Sequence, residues 1–303
     1  MRHMLFDLIR STEAAAIAAS HFIGSGDKLA ADKAATTAMR DKLNETDFCA
    51  RVVIGEGKKD ESDGLFCGEV VGKHRGKCEP AFDLAIDPID GTRPTVNSGP
   101  EAVSVLALAN VGSMWSTEEF YMNKLAFGPA LVRAGMSLAM SIPEIVTATS
   151  RELGKPLNQI MVCMLDRPRH AKYISQLRKM GVRIKLIQDC DISGAIATCL
   201  EASGVDLLYG AGGAPESVIT ACAIRSLGGG FKAQIVDAEC NPKGPVMDQT
   251  EMVTGPCAFA ATGITNGSLL QGVRFASKGP VTNSVFMRSE SGTVRWLSTH
   301  HGN

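Results

Sequence analysis

Between residues 160 and 227 the sequence alternates repeatedly between short apolar runs and helical patterns, and this alternation limits the fold more than any other feature. Ile160 to Leu165, Val182 to Ile187 and Val205 to Tyr209 read as strands. Each is followed by a helical pattern, over about 170–180, 192–200 and 216–227. Strand–helix pairs in succession require crossover connections, which place helices on the faces of a largely parallel sheet. Ser141-Ile142-Pro143-Glu144 opens this part as a helix start with proline in the first turn.

The chain before that point has a different rhythm. Leu5, Leu8, Ile9, Ala15, Ala16, Ala19 and Phe22 fall near helical spacing, and Gly24-Ser25-Gly26-Asp27 breaks that helix. A second helix is expected from about Ala31 to Leu43. Arg51 to Ile54, Phe82 to Ile86 and Val103 to Ala109 read as strands joined by loops, which predicts an antiparallel sheet. Two further strands are expected near Phe259 to Ile264 and Val294 to Leu297. The fold class is therefore a layered α/β (α+β) protein. An N-terminal unit of residues 1–141 has a mainly antiparallel sheet, and a C-terminal unit of residues 142–303 a mainly parallel one.

Composition removes several functions. Thirty-one basic and thirty-two acidic residues leave a net charge of −1, which is no footprint for nucleic acid. No apolar run reaches the length of a membrane span. Met1 to Arg10 carries Asp7 and Arg10, so no signal-peptide apolar region forms. The nine cysteines are scattered without a Cys-x-x-Cys pair, and are read as reduced thiols of a cytoplasmic protein.

The chemistry concentrates in Asp83-Leu84-Ala85-Ile86-Asp87-Pro88-Ile89-Asp90-Gly91-Thr92. An apolar strand delivers Asp87 and Asp90 to its end. Pro88 fixes the backbone between them, Gly91 permits close approach of an anion, and Thr92 supplies a hydroxyl that can orient water. Crowded carboxylates repel unless protonated or bridged by cations, and hard oxygen ligands favour Mg²⁺ or Mn²⁺ over zinc. Glu56 stands between Gly55 and Gly57 at a strand end, as a ligand or in a surface turn; Asp60 and Glu61 follow as ligands or solvated charges. Gly210-Ala211-Gly212-Gly213-Ala214-Pro215-Glu216 lies between a strand and a helix, where a glycine loop can cradle phosphate. It is not a dinucleotide fingerprint, because Pro215 occupies the third glycine position. Glu216 is either a ligand or a first-turn carboxylate favoured by the helix dipole. Arg167-Pro168-Arg169-His170 offers two guanidinium groups to a phosphate, or is a basic helix start. Asp189-Cys190-Asp191 can accept from sugar hydroxyls, or Asp191 caps the next helix.

Together these residues resemble the class II fructose-1,6-bisphosphatases, within the metal-dependent sugar phosphatase group that includes the inositol monophosphatases. The Asp-Pro-Ile-Asp-Gly-Thr stretch marks the wider group. Gly26-Asp27-Lys28 with Asp32, Ile54-Gly55-Glu56-Gly57, Tyr121-Met122-Asn123-Lys124-Leu125, Arg167-Pro168-Arg169-His170, Gly212-Gly213-Ala214-Pro215-Glu216 and Ala261-Thr262-Gly263-Ile264-Thr265 point to the class II branch. Position 90 is aspartate where the class II pattern usually has glutamate, a substitution that resembles the inositol phosphatase form.

The resemblance implies an α-β-α-β-α sandwich and hydrolysis of the 1-phosphate of fructose 1,6-bisphosphate, extending to sedoheptulose 1,7-bisphosphate, with gluconeogenesis as one setting. It implies Mg²⁺ or Mn²⁺, with Asp32 and Glu56 on one cation and Asp87, Asp90 and Glu216 on a second. Thr92, Glu56 and Asp87 carry the catalytic roles. Lys28, Asp90, Gly91, Thr92, Tyr121, Arg167, Pro168, Arg169, Asp189, Cys190, Asp191 and Gly213 face the sugar bisphosphate. Its partners are a small-molecule substrate and further copies of itself, as a dimer or tetramer, with no nucleic acid and no membrane. The alternatives are an inositol-monophosphatase-like enzyme and an inactive sugar-phosphate-binding sensor.

Overall fold

The structure, a computed structural model, describes residues 4–56, 64–117, 119–237 and 239–302. Gly57, Asp60 and Glu61 lie outside the described residues. The N-terminal part builds helices α1 (Leu5–Ser20) and α2 (Lys28–Glu45), then strands β1 (Ala50–Ile54), β2 (Val70–Val71) and β3 (Phe82–Asp90). A short helix α3 (Thr92–Val96) precedes β4 (Val103–Asn110) and β5 (Tyr121–Phe127). Next come α4 (Ile142–Leu153), β6 (Met161–Leu165), α5 (Ala171–Lys179), β7 (Arg183–Ile187), α6 (Asp191–Ala197), β8 (Leu207–Gly213) and α7 (Pro215–Leu227). The chain ends with β9 (Gly230–Val236), β10 (Met247–Asp248), α8 (Gln249–Met252), β11 (Cys257–Gly263), β12 (Arg274–Ala276), β13 (Gly279–Arg288) and β14 (Thr293–His300).

Five layers result, α-β-α-β-α. The first sheet runs β12-β13-β11-β4-β3-β1-β2, with β14 beside β13; the second runs β10-β9-β5-β8-β6-β7. Leu8, Ala15 and Met39 of α1 and α2 pack on Leu84, Leu106 and Phe286 of the first sheet. Its other face meets α6 and α7 through Val105, Phe259, Val218 and Cys222, and the second sheet closes over those helices with Phe231 and Ala233. Ile145 of α4 and Leu177 of α5 cover the outer face of the second sheet, against Val162 and Leu207. β4 shows why its sequence is an unbroken apolar run. Val103, Val105, Ala107 and Ala109 face one core and Leu106 and Leu108 the other, so both sides are buried. Helix α4 begins as the sequence predicts, with the Glu144 carboxylate accepting from the Ser141 N–H at 2.7 Å, and ends on Gly154 at φ 62°.

Several expectations are corrected. The parallel pairings of β6 with β7 and with β8 follow the strand–helix rhythm. However, β5, β9 and β10 join that sheet antiparallel, so it is mixed rather than mainly parallel. The first sheet is antiparallel except where β1 runs parallel to β3. Each sheet also draws strands from both sides of residue 141: β5 lies in the second, and β11 to β14 lie in the first. Residue 141 marks a change of rhythm along the chain, and the sheets are not divided there. The cysteines are not all reduced, for Cys49 and Cys78 form a disulfide. Among the described residues no helix is long and apolar enough to cross a membrane.

Candidate active site

The carboxylates reach their places through irregularities in the strands. The register of β3 against β4 slips between Asp87 and Asp90, at Pro88, which has no N–H to contribute to the ladder. Ile89 N–H donates to Asp87 Oδ1 at 3.0 Å within this bulge. Gly91 follows at φ 103°, a conformation that favours glycine, and a Cβ there would lie 2.5 Å from the Cys190 sulfur. Thr92 opens α3, and its hydroxyl donates to Asp32 Oδ1 of α2 at 2.8 Å. Glu56 stands two residues past the end of β1, after Gly55. Glu216 lies in the first turn of α7, directly over the end of β8: a Cβ on Gly213 would come within 1.9 Å of Glu216 Oε2.

These elements converge on a cleft of about 1100 Å³ at the strand ends. Its lining includes Lys28, Asp32, Glu56, Asp87, Asp90, Gly91, Thr92, Tyr121, Arg167, Arg169, Asp189, Cys190, Asp191, Gly213 and Glu216. Among the described residues expected to meet a metal or the substrate, Pro168 is the one that does not line this cleft; it lines a neighbouring depression with Asp166, Ala171 and Ile174. Glu56 and Asp32 take part in further contacts within the chain.

The cleft holds both acidic and basic groups. Burial holds Asp87 well above the usual carboxylate range, reinforced by Asp90, Glu56 and Glu216. Burial does the same to Asp90, with Asp191 and Glu216 adding and Lys124 opposing. Glu216 is raised by burial and by Asp191, again against Lys124. The same cleft is lined by arginines. Arg167 pairs with Asp189, whose other oxygen lies 3.9 Å from Arg93 Nε. Arg169 donates from Nε and Nη2 to the Ala211 carbonyl, at 3.1 and 2.7 Å, and its guanidinium sits 5.3 Å from the Tyr121 ring centre. Next to it, His170 Nε2 accepts from the Ala211 N–H at 2.8 Å. Its Nδ1 must then donate to the Leu165 carbonyl, also at 2.8 Å. Burial lowers the His170 pKa, so the ring is a neutral brace between β6 and β8.

The sequence reading did not single out two cations as site residues. Lys124 is 1% exposed in the middle of β5, with Nζ 2.8 Å from Asp191 Oδ2. Its signal was a lysine within Tyr121-Met122-Asn123-Lys124-Leu125-Ala126-Phe127, a segment otherwise suited to burial. Arg93 follows Thr92 directly and lines the same cleft.

The donor set fits hard divalent cations. Asp90 Oδ2 and Glu216 Oε2 are buried side-chain oxygens without a hydrogen-bond partner. Such an oxygen carries a desolvation penalty that a cation would relieve. Among the described residues no three His, Cys, Asp or Glu side chains already close on one point. The carboxylates are neighbours rather than a finished cage. Every candidate ligand here is a carboxylate oxygen, the donor type that Mg²⁺ and Mn²⁺ take.

Comparison with known proteins agrees with this geometry. The family model described as bacterial fructose-1,6-bisphosphatase, glpX-encoded, matches residues 2–301. The chain is 36% identical to the fructose-1,6-bisphosphatase 1 class 2 of Escherichia coli (strain K12), over 99% of this chain and 95% of that protein. The fructose-1,6-bisphosphatase class 2 of Shigella flexneri shows the same identity and coverage. With its whole length matched and its carboxylates, glycines and arginines gathered in one cleft, the chain belongs to the glpX-encoded bacterial fructose-1,6-bisphosphatase family.

Proposed function

We propose that this chain hydrolyses the 1-phosphate of fructose 1,6-bisphosphate, giving fructose 6-phosphate and phosphate, with Mg²⁺ or Mn²⁺. The observation that carries the reading is one cleft that brings buried, partnerless carboxylate oxygens together with arginines. In this reading Asp32 and Glu56 hold one cation, and Asp87, Asp90 and Glu216 a second. When bound, the cations supply the positive charge that neutralises the phosphate and the departing sugar oxygen.

The chain's own groups do the positioning. Thr92 donates its proton to Asp32, which leaves the hydroxyl lone pairs free to accept from an attacking water. Gly91 and Gly213 keep the backbone bare where the phosphate approaches. Arg167 and Arg169 hold the remote phosphate, and Lys28, one helical turn before Asp32, faces the substrate beside the cations; fixing the remote phosphate places the scissile one. Asp189 is committed to Arg167, and Asp191 to Lys124, so these carboxylates present a fixed face to the sugar hydroxyls.

The test is phosphate release with Mg²⁺, with Mn²⁺ and with chelator, on fructose 1,6-bisphosphate, sedoheptulose 1,7-bisphosphate and inositol 1-phosphate. Metal-dependent turnover of the first supports the reading. Preference for inositol 1-phosphate would overturn the substrate, and full activity of Asp87→Asn would overturn the metal assignment.

A further inference from the structure

Cys190 has the wrong backbone for its side chain. It adopts φ 68° and ψ 49° immediately before α6, in the left-handed region where a residue with a Cβ is disfavoured by about 1 kcal/mol or more. Such a conformation persists only where the surroundings over-determine it. Here the surroundings are specific. The buried thiol donates to the Asp90 carbonyl at 3.3 Å, across a separation of 100 residues. The sulfur also fills the space over Gly91, at the distance where a Cβ on that glycine would collide. Thus a residue of the second sheet's β7–α6 loop is locked to the turn that follows β3 in the first sheet. The neighbours of Cys190 secure the same loop to other groups of the cleft: Asp189 to Arg167 and Arg93, and Asp191 to Lys124.

We infer that Cys190 is a positioning residue whose thiol couples the sugar-binding loop 189–191 to the carboxylate turn 90–92, so that occupation of one tightens the other. The inference rests on the function proposed above. In that reading the loop meets the sugar and the turn meets the cation, and Cys190 supplies a hydrogen bond from the loop to the carbonyl of a proposed metal ligand, Asp90. Coupling between two sites is reciprocal: a sugar phosphate that orders the loop strengthens cation binding by the same factor that the cation strengthens its binding.

The experiment is calorimetric titration of Mg²⁺ with and without saturating fructose 6-phosphate, which lacks the scissile phosphate and so cannot bridge to the cation through it. The native protein is expected to bind Mg²⁺ at least fivefold more tightly when fructose 6-phosphate is present. Cys190→Ala is expected to bring that factor below twofold, and Cys190→Ser, which keeps a donor to the Asp90 carbonyl, to retain most of it. Cys190→Gly suits φ 68° and removes the thiol. It should fold with a Tm equal to or above the native one and still lose the coupling, an outcome that general structural damage does not produce. Undiminished coupling in Cys190→Ala or Cys190→Gly would overturn the inference. Separate binding of both ligands by the native protein without coupling would overturn it and leave the phosphatase reading standing. No binding of fructose 6-phosphate at all would overturn both.

Discussion

Replacing Lys124 by methionine tests the electrostatic frame of the cleft. The side chain is 1% exposed and forms an ion pair with Asp191, itself buried, at 2.8 Å. Methionine fills most of the space and removes the charge. Asp191 then stands as an uncompensated buried carboxylate beside Asp90 and Glu216. Removing one partner of a buried ion pair costs about 3–5 kcal/mol. An unfolding entropy of about 2.1 cal/mol/K per residue gives about 0.6 kcal/mol/K for 303 residues, so the Tm should fall by about 5–8 °C. Thermal unfolding followed by circular dichroism at pH 8, in chelator, reads this directly. The double variant Lys124→Met/Asp191→Asn should recover at least half of the loss, because the orphaned charge is gone. A Tm within about 2 °C of the native value at pH 8 would refute the argument that this ammonium neutralises the acidic groups.

Other consequences follow from the same geometry. Asp87, Asp90 and Glu216 hold their protons above the ordinary carboxylate range, whereas in the unfolded chain they release them near pH 4. Between those limits the folded chain binds more protons than the unfolded one, so the Tm in chelator should fall as pH rises from 5 to 8 and millimolar Mg²⁺ should reverse the fall; a chelated Tm that climbs across this window would contradict it. Gly213→Ala drives a methyl group into Glu216 Oε2 and should lower kcat at least tenfold in a steady-state phosphate-release assay. Arg169→Lys loses both donors to Ala211 and the planar contact with Tyr121, and should raise KM for the bisphosphate about tenfold or more with a smaller change in kcat. Cys49–Cys78 closes a loop with a sequence separation of 29, so Cys78→Ser should cost about 3–4 kcal/mol in chemical denaturation, and reductant should add nothing to that loss.

Much of the site was legible because its chemistry is written in short, contiguous strings. Asp87, Pro88, Asp90 and Gly91 announce a strand that delivers two carboxylates to a glycine turn, and β3 ends so; the bulge between Asp87 and Asp90 is a structural finding that the string does not announce. The start of α4 was legible from the proline in its first turn, and α7 from its helical pattern over about 216–227. What escaped is nonlocal. β5 carries polar Asn123 and Lys124 between its apolar residues, and only the Asp191 carboxylate, brought in from another element, makes burying Lys124 favourable. The mixed second sheet arises because β5 pairs antiparallel with β8 and β9 in turn with β5, pairings that no local pattern records. The Cys49–Cys78 bond likewise depends on two loops meeting, and spacing alone carries no such information.

The placement of β11 bears on the order in which the protein is made. Strand β4, which steadies the β3 carboxylates, pairs along its whole length with β11, from Cys257↔Ala109 to Gly263↔Val103. On the ribosome the first sheet therefore waits with an open, apolar edge while some hundred and fifty intervening residues are translated, including the strand–helix units of the second sheet. Closing so long a loop adds little to the equilibrium entropy but slows the search for the partner strand. The nascent acidic turn emerges early and acquires its rigid frame late. A chain that ends before Cys257 should accordingly expose β4 as a template for edge pairing and collect in aggregates, even though every proposed metal ligand has already been synthesised.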